Sequence, residues 1–260
     1  MSAPTPIERA HYQKLAGRQI TAIRWEEIEG QALPILILLS VVAILYGAIV
    51  SVVQKDLKKL VAYSSVAHMG FVTLGIFVLN QQGGVGAVLQ MLNHGFVTGA
   101  LFLFVGIQYE KTHRRQIADL GGLANTWPLY TAFFGVFVLA SLGLPGLSGF
   151  VGEFLVLLGA FKFNPATGPG GLFWGPAAAI GVILAAIYLL WMFQRVMYGP
   201  IREAYRALPD LTPLEVVCAV PLLVLTVLIG VFPQPAIAII SPSIQRILAI
   251  ATDASATVLR

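Results

Sequence analysis

The chain has 260 residues, of which 57% are hydrophobic and 11% charged, against roughly a quarter charged in an ordinary soluble domain. A soluble core cannot absorb that much apolar surface, and apolar runs of about 20 residues, enough to cross a hydrocarbon layer of roughly 30 Å as a helix, recur along the chain. The formal charge of +4 sits in short clusters between those runs, which excludes a basic nucleic-acid-binding face and marks the clusters as topology signals.

Residues 1–32 carry Glu8, Arg9, Lys14, Arg18, Arg24, Glu26, Glu27 and Glu29 among scattered Ile and Leu. The spacing allows a weakly amphipathic helix, read either as an interfacial anchor or docking segment or as a partly ordered tail. No short apolar core of a secretory signal is present in it. A first span is predicted over 33–53, with Pro34 near its start where a missing N–H does no harm. The polar loop 54–59, holding Asp56 and Lys58, leads to a second span over 60–79 that contains Ser64, Ser65 and His68. Residues 80–84 form a turn, and a third span over 85–107 carries Asn93 and His94 before the polar stretch 110–115 closes it.

The fourth apolar segment, 128–161, would be about 51 Å long as one straight helix. Pro145 in its middle removes a backbone donor, and glycines stand at 143, 146, 149 and 152, so a helix broken around Pro145, Gly146 and Gly149 is expected. A fifth span is predicted over 176–197 and a sixth over 214–232, stopped by Pro233 and Pro235. Residues 236–260, with Pro242 and Arg246, read as an interfacial tail. The fold class is therefore an all-α integral membrane protein of about six transmembrane helices, the fourth broken near Pro145.

Nine Lys and Arg follow the first, third and fifth spans, while the opposite loops hold only Lys162. By the positive-inside rule the nine are cytoplasmic and both ends of the chain lie outside, a placement against which the four basic residues of the N-terminal segment weigh.

Away from the ends of the apolar spans stand His68, His94 and Glu153, the ionisable residues of interest. A charge at the bilayer centre costs about 2.5–3.5 kcal/mol on insertion scales, so such residues face a protein interior or a hydrated cavity and mark ion or proton paths. Glu153 follows the expected break, where freed carbonyls and the waters that satisfy them also solvate a carboxyl group. Imidazole takes a proton on one nitrogen while releasing one from the other, which suits His68 and His94 to a relay. The competing reading makes all three structural helix-to-helix hydrogen bonds. The His spacing does not match a helical metal-binding pair, and the lone Cys218 builds neither a disulfide framework nor a thiolate site. No phosphate loop, paired catalytic carboxylates or nucleophile setting is present, so no catalytic, cofactor-binding or metal residues are assigned.

Four stretches carry a family resemblance: DLKKLVAYSSVAHMG at 56–70, QMLNHG at 90–95, DLGGL at 119–123 and LGLPGLSGFVGEF at 142–154. Over about 33–236 the chain resembles the antiporter-like subunits of respiratory complex I, the proton-pumping NADH:quinone oxidoreductase. Among these it is most similar to the subunit M (chain 4) type, because position 153 holds glutamate where the N and L types carry lysine. The resemblance implies two inverted repeats of five helices, each with a broken helix, within fourteen core helices. The six spans resemble the ninth to the fourteenth, that is, the second repeat plus the final helix. It also implies that His68 and His94 belong to a central hydrophilic axis and that Glu153 lies near the outward half-channel. No cofactor is expected, because redox chemistry resides elsewhere in such assemblies. The expected partners are other membrane-arm subunits, the lipid bilayer and a separate chain supplying the first eight helices; residues 1–32 match none of those helices. Two rivals remain: a Na⁺/H⁺ antiporter or membrane-hydrogenase subunit of the same superfamily, and a non-conducting structural half-subunit.

Overall fold

The structure, a computed structural model, describes residues 32–164 and 170–258, with side chains placed as far as residue 249; the N-terminal segment 1–31 lies outside the described residues. Its helices are α1 (Leu33–Val52), α2 (Leu57–Phe77), α3 (Gln81–Thr112), α4 (Pro128–Ser141), α5 (Ser148–Phe161), α6 (Gly171–Met197), α7 (Pro213–Val231) and α8 (Gln234–Val258). By length and hydropathy α1, α2, α3, α6 and α7 suit a membrane crossing, and α4 and α5 are two shorter apolar helices. Counted together, α4 and α5 make a sixth, broken span, the fourth in chain order.

Capping explains where several helices start. Asp56 is extended and its side chain accepts the Lys59 amide at 3.1 Å, so α2 begins at Leu57, three residues earlier than hydropathy suggests. Asn80 does the same for the Gly83 amide at 2.9 Å, which draws the polar Gln81 and Gln82 into α3. Both caps satisfy amide groups that a helix start leaves unpaired. At its far end α3 stops on His113, held left-handed at φ 52°. Helix α6 starts five residues before Pro176 and carries that proline inside it, which membrane helices tolerate.

Between α4 and α5 the chain unwinds over residues 142–147. The Leu144 amide reaches back to Leu139 O at 3.0 Å rather than to Ala140 O, and Pro145 has no amide to donate. Gly143 and Gly146 take φ of +77° and +92°, a region open without strain chiefly to glycine.

Small residues set the closest helix contacts, as in membrane interiors where backbones approach without bulky side chains. A Cβ placed on Gly47 of α1 would lie 2.6 Å from Ala67 N of α2, and one on Gly86 of α3 would lie 2.6 Å from Val156 N of α5. A Cβ on Gly152 of α5 would meet Gln90 Oε1 at 2.5 Å and Gln90 N at 3.0 Å. The α3–α5 crossing therefore brings Gln90 against the residue next to Glu153. Where the sequence suggests only an interfacial tail, α8 packs Ala236, Ile237, Ile240 and Ile244 on Val85, Leu89 and Val151, and Gln81 Nε2 donates to Ser241 O at 3.2 Å.

One end of the bundle is tied by charged loops. The Asp210 carboxylate accepts the amides of Leu129 at 2.8 Å and Tyr130 at 3.0 Å, capping α4 from a distant connection. Lys111 Nζ donates to Asp210 O at 3.0 Å and to Glu215 Oε2 at 3.1 Å. Asp210→Ala is expected to cost about 1 kcal/mol, the usual value of a helix cap, read as a modest fall in the thermal midpoint of the assembled protein; an unchanged midpoint would remove Asp210 as the cap of α4.

Candidate functional site

The break places Glu153 in the second turn of α5, on the face turned toward α2 and α3. Its carboxylate Oε1 lies 3.1 Å from His68 Nδ1 and accepts from Gln90 Nε2 at 3.2 Å. The other oxygen, Oε2, rests against the unwound strand, where a Cβ on Gly143 would lie 2.6 Å from it. Gly143 therefore gives the break its positive φ and leaves the carboxylate its space. His68 reaches in the opposite direction as well, with Nε2 3.2 Å from Ser141 Oγ, the last residue of α4. Glu153 and His68 are 5% and 4% exposed, so the pair is out of solvent and each polar group depends on the other for a partner.

His94 sits beside them, its ring centroid 5.7 Å from that of His68 and its Nδ1 3.0 Å from Thr98 Oγ1. The two histidines, Gln90, Asn93 and Ser141 line a cavity of about 10 Å³. That is close to the room one water needs. Gln90 Oε1 and Asn93 Oδ1 are buried without a hydrogen-bond partner, the kind of acceptor that ordered water satisfies in a protein interior. Asn93 Nδ2 donates to Ser148 O at 2.6 Å and so fixes the start of α5 to α3. Tyr188 of α6 is wholly buried beside Ser64 and within electrostatic reach of Glu153, although its hydroxyl makes no hydrogen bond of good geometry.

Of the residues singled out in the sequence, His68, His94, Glu153, Asn93 and Gly149 come together here, with Pro145 and Gly146 in the break above them and Ser64 behind, its hydroxyl donating to Val61 O at 2.8 Å. Asp56 and Lys58 stand apart at the basic end. There Asp56 caps α2 and lies 3.8 Å from Arg115 Nε, and Lys58 lines a separate pocket with Tyr109 and Arg115. Ser65 faces a shallow apolar groove with Val66, Met69 and Thr73. Gln90, Ser141 and Tyr188 enter only through the structure. The spacing held a signal for Gln90: it stands three and four residues before Asn93 and His94, on one helix face. Ser141 and Tyr188 carried no such signal.

Residues 10–170 match the profile of the NADH:quinone oxidoreductase/Mrp antiporter transmembrane family. The chain belongs to that family. The match begins at residue 10, so it takes in much of the polar N-terminal segment that the motif resemblance leaves out. A curated relative, NADH-quinone oxidoreductase subunit M of Rhodobacter capsulatus, is 49% identical over 212 residues, covering 81% of this chain and 40% of the relative. The chain is thus of the subunit M type and spans about two-fifths of the length of the curated relatives it matches. Among solved structures, a chain of respiratory complex I from Thermus thermophilus with bound NADH superposes with a TM-score of 0.76 at 34% identity, covering 84% of this chain and 45% of that one. The Mrp complex from Dietzia sp. DQ12-45-1b shares the fold, with a TM-score of 0.75 at 18% identity over 87% of this chain and 49% of that one. The all-helical fold is thus shared with membrane subunits of complex I and of an Mrp complex.

Proposed function

We propose that the cluster at the helix break is a segment of a proton path in the membrane arm of a complex-I-like NADH:quinone oxidoreductase, and that Glu153 stands at its outward half. The observation that carries this reading is the unbroken contact chain Ser141–His68–Glu153–Gln90, buried among membrane helices. When Glu153 holds the proton it donates to His68 Nδ1, and His68 Nε2–H donates to Ser141 Oγ. When His68 is doubly protonated it donates to both partners, Glu153 is a carboxylate, and the charge is paired in place. Exchange between these arrangements moves one proton without moving a helix. His94 joins through a water in the cavity, since its ring is a separate neighbour of His68 rather than a direct partner of Glu153.

In this reading the basic loops face the cytoplasm of an energy-transducing inner membrane, and neighbouring membrane-arm subunits deliver the driving force as conformational or electrostatic change. The quinone and NADH reactions take place in other subunits. The inward half of the path lies in sequence beyond these 260 residues, on the same polypeptide or on another.

The test replaces Glu153 with Gln in the assembled complex in proteoliposomes and follows NADH-driven acidification by a pH dye. Protons moved per NADH should fall while electron transfer to an artificial acceptor persists. Unchanged stoichiometry would sink the reading in favour of a structural role for the cluster. A residual signal that requires sodium would move the assignment to cation–proton exchange.

A further inference from the structure

Helix α7 buries little of itself: among its described residues only Ala219 and Thr226 are fully enclosed. One turn after Thr226 comes Gly230, which lies directly on the break. A Cβ built there would collide with Gly146 O and Leu147 Cα and lie 2.5 Å from the Leu147 carbonyl carbon. These are backbone atoms, which cannot turn aside as a flexible side chain does. Leu147 is the N-cap of α5, and Asn93 Nδ2 of α3 holds Ser148 O at 2.6 Å. The start of α5 is thus held by both α3 and α7. Glu153 follows five residues after Ser148 on the same rigid helix, about 7.5 Å along its axis, and its Oε2 rests against Gly143 within the same unwound strand.

We infer that Gly230 is a positioning residue for Glu153: by letting α7 seat on the backbone of the break, it sets the height and rotation of α5 and hence the 3.1 Å contact between Glu153 and His68. This rests on the proton-path reading above for its functional consequence, though not for its geometry. An added methyl at Gly230 lifts α7 or pushes residues 146–147 inward. In the second case α5 shifts, and the carboxylate leaves its place between His68, Gln90 and Gly143. Misplacement of a reacting group on the ångström scale lowers rates by up to about a hundredfold.

The experiment uses Gly230→Ala in the assembled complex, with Glu153→Gln as the reference. The carboxyl stretch in infrared difference spectra that vanishes in Glu153→Gln identifies Glu153. In Gly230→Ala that band should shift, the pH profile of pumping should move with it, and the rate of NADH-driven pumping should fall on the order of tenfold. A merely structural role for Gly230 lowers the yield of complex but leaves the band and the pH profile of the assembled fraction where they were, and that result overturns the inference. Should Gly230→Ala not accumulate, Asn93→Ala frees the Ser148 carbonyl and so loosens the same start of α5 without adding an atom. The band must shift in that variant too, and an unmoved band there overturns the inference. If Glu153→Gln pumps normally while the band still shifts in Gly230→Ala, the positional coupling stands and the proton-path reading is the part that fails.

Discussion

His68→Leu is expected to halt proton transfer and to cost about 1–3 kcal/mol of stability, the usual penalty for leaving a buried hydrogen-bonding group without its partner. His68 is in contact with both halves of the broken helix, through Ser141 of α4 at 3.2 Å and Glu153 of α5 at 3.1 Å. Leucine fills much of the imidazole's space but leaves Glu153 with Gln90 as its one remaining hydrogen-bond donor in the cluster. The double variant His68→Leu, Glu153→Leu should recover most of the lost stability, because replacing a buried pair by apolar residues is often neutral. It should recover none of the pumping. Thermal denaturation of the assembled complex measures the first effect and proteoliposome acidification the second. A double variant as unstable as the single one would mean that the pair is not the source of the penalty. A single variant that pumps normally would take His68 out of the path.

The coarse fold was legible because the bilayer imposes a length. Runs of about 20 apolar residues become spans whatever else surrounds them, and Pro145 with its neighbouring glycines announces a break because helix geometry forbids the alternative. Helix starts were less legible. Asn80 and Asp56 cap helices whose first residues are polar or charged, so hydropathy places the start of α3 four residues late and that of α2 three late. The tail beyond Pro235 looked interfacial because Pro242 and Arg246 lower its hydropathy. Its Ile237, Ile240 and Ile244 nonetheless form a helical stripe that finds Val85 and Leu89 on α3.

The site was legible in its titratable members and illegible in their company. A histidine or glutamate inside a membrane span stands out by its cost alone. Ser141 and Tyr188 do not, since hydroxyl residues are common on membrane helices, and only the packing of α4 and α6 around α2 brings them to His68 and Glu153. Gly143 and Gly230 belong to the same class. Each looks like an ordinary helix-breaking or small residue in one dimension. Their role lies in what stands opposite them: Glu153 Oε2 in the first case and the backbone of residues 146–147 in the second.

Gly152 shows how closely packing and chemistry are joined here, and Gly152→Val is expected to prevent formation of the site. The Cβ would fall 2.5 Å from Gln90 Oε1 and 3.0 Å from both Gln90 N and Gln90 Cα. Rotation of the Gln90 side chain relieves the first contact only; the other two are backbone, so α3 and α5 must move apart. Overpacking of this kind costs about 1–3 kcal/mol and sometimes more. The separation also stretches the hydrogen bond from Gln90 to Glu153, which already stands at 3.2 Å, so a carboxylate left short of donors adds its own penalty. Gly152→Ala carries the same first carbon and should show the same defects to a smaller degree, because it lacks the two further methyls. Yield of assembled complex, thermal midpoint and protons per NADH should all fall in the order glycine, alanine, valine. A valine variant that matches the parent in midpoint and pumping would show that α3 and α5 can part without disturbing Glu153, and the close crossing would then have no part in building the site.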